Sequence, residues 1–149
     1  EKQALSKITN REKLQGQLAD VLCGADVFIG VSKPEVLTAE MVRTMADQPI
    51  IFALANPIPE IMPNVAKEAG AFVVATGRSD FPNQINNSLA FPGIFRGALD
   101  NRIKQFNEEM FVKAAEALAS YVRNPEPDQV LPTAFDLGVV DAIKEVIRD

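Results

Sequence analysis

The sequence has no histidine, and this absence excludes several kinds of catalytic site. Without an imidazole the chain cannot form a Ser–His or Cys–His nucleophile pair or a histidine metal site. It also has no side chain that ordinarily titrates near neutral pH. Any acid–base chemistry must therefore fall to Asp, Glu, Lys or the single tyrosine, Tyr121.

Cysteine is almost as scarce, because Cys23 is the only one. A single cysteine cannot form an internal disulfide, and the apolar neighbours Val21 and Leu22 predict a buried structural thiol rather than a nucleophile. This usage fits a reducing compartment, and we predict a cytoplasmic protein.

Long apolar runs and basic clusters are also missing. The longest apolar runs, such as residues 49–55, fall far short of the ~20 residues that cross a bilayer, and no signal-like segment begins the sequence. The net charge is −5, the isoelectric point is near 4.8, and no block of Lys or Arg stands out. We therefore predict neither a membrane nor a nucleic acid as a partner.

What is present suffices for about one domain with a core, since 47% of the 149 residues are hydrophobic. The chain begins at Glu1 without a methionine, in a polar stretch that starts no obvious element. We expect it to be a piece of a longer protein.

Short apolar runs alternate with amphipathic segments in the first half of the chain. The runs at residues 26–31, 49–55 and 71–76 are rich in Val, Ile and Phe, which predicts parallel strands covered on both faces. Thr38 should cap a helix between the first two, and Pro63 and Gly70 should begin and end a helix between the last two. This order predicts an α/β fold with part of a doubly wound parallel sheet, to which further strands would be added from outside this chain.

The second half is predicted to be helical. Pro92 should divide residues 87–100 into a short helix and a second one, and Asn107 should cap a longer helix. The inward residues of the second helix would be Ile94, Phe95, Ala98 and Leu99. The core-facing stripe of the longer helix would be Met110, Phe111, Ala114, Leu118, Tyr121 and Val122. After a linker at residues 124–128, a final amphipathic helix would bury Val139, Val140, Ile143, Val146 and Ile147. We therefore divide the chain into a sheet part, residues 1–105, and a helical extension packed on it, residues 106–149.

One polar segment, residues 75–100, lies between the third strand and the helices. A core does not require its mixture of amides, hydroxyls and glycines, whereas neutral donors and acceptors suit a small polar ligand. The polar side chains are Ser79, Asp80, Asn83, Gln84, Asn86, Asn87 and Ser88. We predict a binding loop that leads into a helix.

The residues that follow each predicted strand form a second pattern, because ligands of open α/β sheets bind outside the carboxyl ends of the strands. These residues are Gly30, Val31 and Ser32, then Asn56 and Pro57, then Gly77, Arg78, Ser79 and Asp80. Each group alone could be a plain turn, but together they favour one crevice. Gly30 would allow a close backbone approach, and the amide of Asn56 can donate and accept.

Several of these polar residues have two interpretations. Arg78 and Asp80 could clamp a ligand, but a surface ion pair is the better prediction. Asn86 and Asn87 could be one helix cap and one solvated amide, or they could direct amides at a carboxylate. Gly93 and Gly97 are expected to allow close helix packing.

Three segments carry a resemblance to a known family. They are DVFIGVS at residues 26–32, PIIFALANP at 49–57 and ATGRSDFPNQINNSLAFPG at 75–93. In this order and spacing they resemble the C-terminal half of malic enzymes, especially the bacterial type. The resemblance covers nearly the whole chain and implies a Rossmann-type domain. It also implies an enzyme, a homodimer, that oxidises malate with NAD or NADP and decarboxylates the product to pyruvate and carbon dioxide, using Mg²⁺ or Mn²⁺.

The resemblance implies two sets of site residues. The cofactor set is Gly30, Val31, Ser32 and Asn56. The malate set is Asn56, Asn86 and Asn87. The family's glycine-rich loop, acidic metal ligands, general-base lysine and general-acid tyrosine would precede this chain, and Glu60, Asp80 and Tyr121 do not match them. We therefore expect no catalytic residue and no metal ligand here, and a chain that is inactive alone.

Two alternatives stay open from the sequence. One is a non-catalytic nucleotide-binding or assembly module, because a fold does not fix a function. The other is a different NAD(P)-linked dehydrogenase, which is a poor fit because of the run NNSLAFPG at residues 86–93. The choice between NAD and NADP depends on a residue expected before Glu1.

Overall fold

The computed structural model describes residues 2–148 as three short strands and seven α-helices. The strands are β1 (Val27–Gly30), β2 (Ile50–Ala53) and β3 (Val73–Thr76). The helices are α1 (Lys2–Ile8), α2 (Leu18–Leu22), α3 (Ala39–Arg43), α4 (Pro63–Glu68), α5 (Phe91–Asp100), α6 (Glu108–Tyr121) and α7 (Gly138–Lys144), with a 3₁₀ turn at Asn87–Leu89 before α5.

The strands form a parallel sheet in the order β1-β2-β3, as the sequence predicted. Gly30 pairs with Ala53 and Ala53 with Thr76, so the three strands end level with one another. Helix α3 begins after Thr38, whose Oγ1 accepts a hydrogen bond from Met41 N at 3.3 Å. Both crossover helices therefore lie where the sequence predicted them.

Helix α4 starts at Pro63 and stops before Gly70, which has a φ of +108°. A positive φ strains any residue with a side chain, so glycine is the residue that lets the chain turn there into β3. The predicted start and stop of this helix are both confirmed.

One face of the sheet carries the first hydrophobic core. Phe28, Ile51, Ala53 and Val74 point to this face and pack with buried side chains of α2, α3 and α4. The helical contribution includes Leu22, Val42 and Ala66. The apolar faces of three short helices are thus buried against a single side of the sheet.

The opposite face is uncovered at β1, so the prediction that every strand is covered on both sides is wrong for this strand. Val27 and Ile29 alternate with the core residues and are 45% and 63% exposed. The reason is that α2, α3 and α4 all contribute to the core on the Phe28 side. On β3, in contrast, every residue is buried.

A second core joins α5, α6 and α7. Gly93 and Gly97 give α7 room, because a Cβ on them would lie 2.6 Å from Ile143 Cβ and 2.7 Å from Ile147 Cβ. Their predicted role in close helix packing is confirmed. The close approach also selects the buried face of α5, which contains both glycines with Ile94 and Ala98.

Two residues predicted to point inward on α5 therefore lie outside. Phe95 and Leu99 are 55% and 75% exposed, since α7 packs against the glycine stripe instead. The ring of Phe95 lies near Phe91 and Phe106, with centroids at 5.8 and 6.3 Å.

Helix α6 is capped as predicted, with Asn107 Oδ1 accepting from Met110 N at 2.9 Å. Its stripe is core in part only. Met110 and Ala114 are buried, whereas Phe111 is exposed and Val122 lies past the end of the helix. The final predicted helix is confirmed as α7. It ends at Lys144, before Val146 and Ile147, which the prediction placed on its buried face.

One smaller prediction is wrong. Cys23 is exposed, because Leu22 fills the core position and the chain leaves helical geometry at the next residue. The predicted linker at residues 124–128 does connect α6 to α7 without a helix or strand of its own, and it is held in place, since Asp128 pairs with Lys67 at 2.8 Å and Pro127 O accepts from the Asn83 amide. The division at residue 105 stays a prediction.

Within the described part of the chain, no helix has the length and apolar character needed to cross a membrane.

Candidate functional site

The three strand ends meet at one edge of the sheet, as the strand register requires. Val31, directly after β1, is 80% exposed, and Asn56 after β2 is exposed as well. The predicted cofactor residues thus lie on turns at a common, accessible edge, where ligands of open α/β sheets bind.

A buried carboxylate, that of Glu60, connects the first two turns. Its Oε1 accepts from Ser32 N at 2.8 Å and from Ser32 Oγ at 3.2 Å, and its Oε2 accepts from Ala55 N at 3.0 Å. The side chain has no exposed surface. Burial raises the pKa of Glu60, but the hydrogen bonds from Ser32 and Ala55 outweigh burial and hold the pKa below its usual value.

Gly30 makes room for this carboxylate. A Cβ on Gly30 would lie 2.5 Å from Glu60 Cδ and 2.6 Å from Oε1. The sequence predicted that Gly30 would allow a close approach of backbone and ligand, and the structure places Glu60 on the side where a Cβ would point. The sequence alone predicts only that Glu60 is not a metal ligand. The signal that could have found its role is a lone charge among the apolar residues of PIPEIM.

Asn56 begins the turn after β2 and precedes Pro57 across a cis peptide bond. Its side chain is exposed and forms no hydrogen bond with any residue from 2 to 148. Its neighbour Ala55 is held by Glu60, so the amide of Asn56 projects from a fixed backbone.

Arg78 fixes the third strand end. Its guanidinium forms a two-pronged pair with Asp80, at 2.8 Å from Nε and 2.6 Å from Nη2, as the ion-pair prediction expected. It also lies 5.2 Å from the centroid of the Phe81 ring and donates to Pro57 O at 3.4 Å. The hydrogen bond to Asp80 raises the pKa of Arg78, and the same bond lowers the pKa of Asp80. Arg78 therefore links the third turn to the second.

The fold uses one of the predicted ligand-binding amides for itself. Asn83 is buried, donates to Val74 O at 3.1 Å and Pro127 O at 2.8 Å, and accepts from Val130 N at 2.8 Å. Both N–H donors of this amide are therefore used within the fold, and its oxygen is buried. It instead joins the binding loop to β3 and to the segment before α7.

Asn86 and Asn87 divide the two roles that the sequence left open. Asn86 Oδ1 accepts from Ser88 N at 3.0 Å and caps the 3₁₀ turn, so its Nδ2 is the group still available. Asn87 is exposed, and its side chain makes no hydrogen bond within the described residues. The arrangement is one capping and one solvated amide.

The acidic residues near the site do not fit a metal ion. The oxygens of Glu60 accept from Ser32 and Ala55, and those of Asp80 accept from Arg78. Among residues 2–148 no three His, Cys, Asp or Glu side chains converge on one point.

Tyr121 belongs to a different region of the chain, the α6–α7 unit. Its hydroxyl donates to Asp136 Oδ1 at 2.7 Å, and this hydrogen bond raises the pKa of Tyr121. A raised pKa makes the hydroxyl a weaker acid.

Comparison with known proteins decides the family. The sequence matches the family model described as the malic enzyme NAD-binding domain over residues 1–146. The chain belongs to the malic enzyme family. Its sheet and crossover helices are those of the Rossmann-like NAD-binding domain of malic enzymes.

Three malic enzymes illustrate the similarity. The bifunctional malic/malolactic enzyme of Bacillus subtilis is 57% identical over 98% of the chain, and an NADP-dependent malic enzyme of Halomonas elongata is 44% identical over 87%. The crystal structure of the NAD-dependent malic enzyme of Thermotoga maritima covers 98% of the chain with a TM-score of 0.93 and 49% identity. The chain spans only about a third of each relative, at 36%, 35% and 38%.

Proposed function

We propose that this chain forms one wall of the cofactor and malate cleft of a longer malic enzyme. That enzyme would convert malate to pyruvate and carbon dioxide while reducing NAD or NADP. The observation that carries the proposal is the joining of three strand-end turns at one accessible edge, by Glu60 and Arg78, in a chain of this family. We further propose a cytoplasmic homodimer.

The cofactor would lie along Gly30, Val31, Ser32 and Asn56. The backbone of the first turn fits this task because it is exposed yet held at Ser32 by Glu60. When bound, NAD or NADP supplies the acceptor for the hydride that leaves malate. The role of this chain is to bind and orient the two partners, which by itself removes a large part of the barrier.

Malate would be held by amides, from Asn56, Asn87 and the Nδ2 group of Asn86. Neutral amides can bind a carboxylate or hydroxyl without adding a group that titrates near the reaction. We derive no metal-dependent step from this chain, because its nearby carboxylates are committed to Ser32, Ala55 and Arg78.

The test uses the full-length protein that contains this chain. Purified protein is mixed with malate, Mn²⁺ and either NAD or NADP, and both reduced nucleotide and pyruvate are measured. Equal amounts of the two products with one of the nucleotides would support the proposal. Nucleotide binding without turnover would instead favour a non-catalytic module.

A further inference from the structure

We propose that Glu60 is a positioning residue that sets the spacing between the cofactor turn at Ser32 and the turn that carries Asn56. This inference rests on the proposed function, since it concerns the same cleft. Glu60 touches neither ligand in this role. It acts through the two turns that do.

The loops after β1 and β2 are joined on both sides of the Glu60 carboxylate. On the sheet side, Leu54 N donates to Gly30 O at 2.9 Å, which continues the strand pairing. On the far side, Leu37 N donates to the backbone carbonyl of Glu60 at 3.0 Å, and Glu35 N donates to Pro59 O at 3.2 Å. The Glu60 carboxylate lies between these two sets of backbone hydrogen bonds.

The three hydrogen bonds to the carboxylate all come from residues of the proposed cleft or their direct neighbours. Ser32 donates two, and Ala55, which precedes Asn56, donates the third. Among residues 3–148 no Lys or Arg forms a salt bridge with Glu60. A buried carboxylate without a cation depends on such donors, so the position of each turn is tied to the other through one rigid group.

The carboxylate also packs closely against Gly30, which has no side chain. The space that a Cβ would need there is already occupied by Glu60 Cδ and Oε1. Packing and hydrogen bonds therefore fix the same group from opposite directions.

The arrangement also orients the hydroxyl group of Ser32. Its hydroxyl donates to Glu60 Oε1 at 3.2 Å, which leaves the oxygen lone pairs for the cleft. Ser32 would thus accept a hydrogen bond from the cofactor, from a group such as a ribose hydroxyl or a carboxamide N–H.

The experiment compares Glu60→Gln with the wild-type full-length protein. Glutamine has nearly the same shape, but its NH₂ group must face one of the backbone donors, so one turn loses its partner. We expect the KM for the nucleotide to rise by about tenfold or more, with a smaller change in the KM for malate. A fluorescence titration with NADH, or with NADPH if the wild-type protein binds that nucleotide instead, should show the same loss of affinity without turnover.

Asn101→Ala is the matched stability control. At the C-terminal end of α5, away from the strand-end turns, Asn101 Nδ2 donates to Gly97 O at 3.0 Å and Ile147 O at 2.9 Å. This variant should lower the melting temperature and leave both KM values within about twofold of wild type. If Glu60→Gln does not fold, Glu60→Asp keeps the charge but is too short to span both turns, and should raise the nucleotide KM by about threefold or more.

A folded Glu60→Gln protein with wild-type nucleotide affinity would overturn the inference, as would a KM change in Asn101→Ala of the same size. Failure of the proposed function is a separate result. It would appear as wild-type protein without malate-dependent reduction of either nucleotide, and the NADH titration would still test Glu60.

Discussion

Two buried polar side chains, Glu60 and Asn83, hold the loops around the proposed cleft in the same way. Each joins backbone groups from separate segments, Glu60 with its carboxylate and Asn83 with its amide. The exposed amides of Asn56 and Asn87 differ in making no such contacts within the described residues. At the scale of single residues, the hydrogen bonds that a polar side chain already makes therefore distinguish the groups that build the proposed cleft from those that are available to a ligand.

Asn83→Ala should destabilise the protein by several kcal/mol, on the order of 1–3 kcal/mol for each backbone group left buried without a partner. The φ of +55° at this position adds strain, because Asn tolerates the left-handed region better than Ala. Urea denaturation measures the loss. Asn64→Ala, at an exposed position of α4, is the control and should change stability by less than about 0.5 kcal/mol. A similar small change for Asn83→Ala would contradict this prediction.

Glu60 should make stability depend on pH in the acid range. Its folded pKa lies below its unfolded value of about 4.3, so the ionised carboxylate stabilises the fold above that value. This contribution disappears as the pH falls through the folded pKa. The difference in unfolding free energy between wild type and Glu60→Gln should thus be largest at about pH 6 and above, and should shrink below about pH 4. Urea titrations at each pH test this, with the exposed Glu68→Gln as control.

Asn87→Ala should impair the use of malate in the full-length protein. We expect a loss in kcat/KM for malate of more than about tenfold, because the proposed contact would be absent in the transition state. Stability should hardly change, since Asn86 rather than Asn87 caps the 3₁₀ turn. Steady-state kinetics and a thermal melt are the measurements. Unchanged malate kinetics would remove Asn87 from the cleft.

At the scale of the elements, the contact of α5 with α7 depends on the absence of a side chain at Gly93 and Gly97. Gly97→Ala would place a Cβ 2.7 Å from both Ile147 Cβ and Lys144 O. The helices must then separate, which costs about 1–3 kcal/mol and exceeds the ~1 kcal/mol that Ala gains over Gly in a helix. Chemical denaturation should show a net loss. Ser120→Ala, exposed on α6, should show none, and a stabilised Gly97→Ala protein would contradict the packing argument.

The existence and order of the elements could be predicted from sequence because local signals specify them. Caps at Thr38 and Asn107 and the apolar strand runs are such signals. The buried face of α5 could not be predicted from hydrophobicity, because the close approach at Gly93 and Gly97 depends on α7, which is distant in sequence. Hydrophobicity therefore predicts that Phe95 and Leu99 point inward, whereas both are exposed.

At the scale of the whole molecule, the strand-end rule predicts where the proposed cleft lies, and the resemblance predicts its residues. The parts that escaped prediction are contacts between distant loops. Glu60 acts on Ser32, 28 positions away, and Asn83 acts on Val130, 47 positions away. No periodicity or cap signals such pairs in a single sequence, whereas the parallel sheet that aligns the turns follows from short-range pattern.

The chain by itself should not reduce NAD or NADP in the presence of malate. It has no converging metal ligands within residues 2–148, and Tyr121 is bound to Asp136 in the helical part. An absorbance assay of the purified chain with malate and Mn²⁺ should give no signal. The full-length protein is the positive control. Reduced nucleotide formed by the chain alone would contradict the proposal that the chemistry lies elsewhere.

The uncovered face of β1 has a practical consequence for that assay. Val27 and Ile29 form an apolar strip on the outermost strand of the described sheet. The free backbone edge of β1 can also pair with strands from other copies, which is how aggregates grow. A chain purified alone should therefore be compared with its Ile29→Lys variant, in which a charge on the strip blocks stacking. If neither protein reduces the nucleotide and the Ile29→Lys variant stays in solution, the lack of activity reflects an incomplete site rather than precipitation.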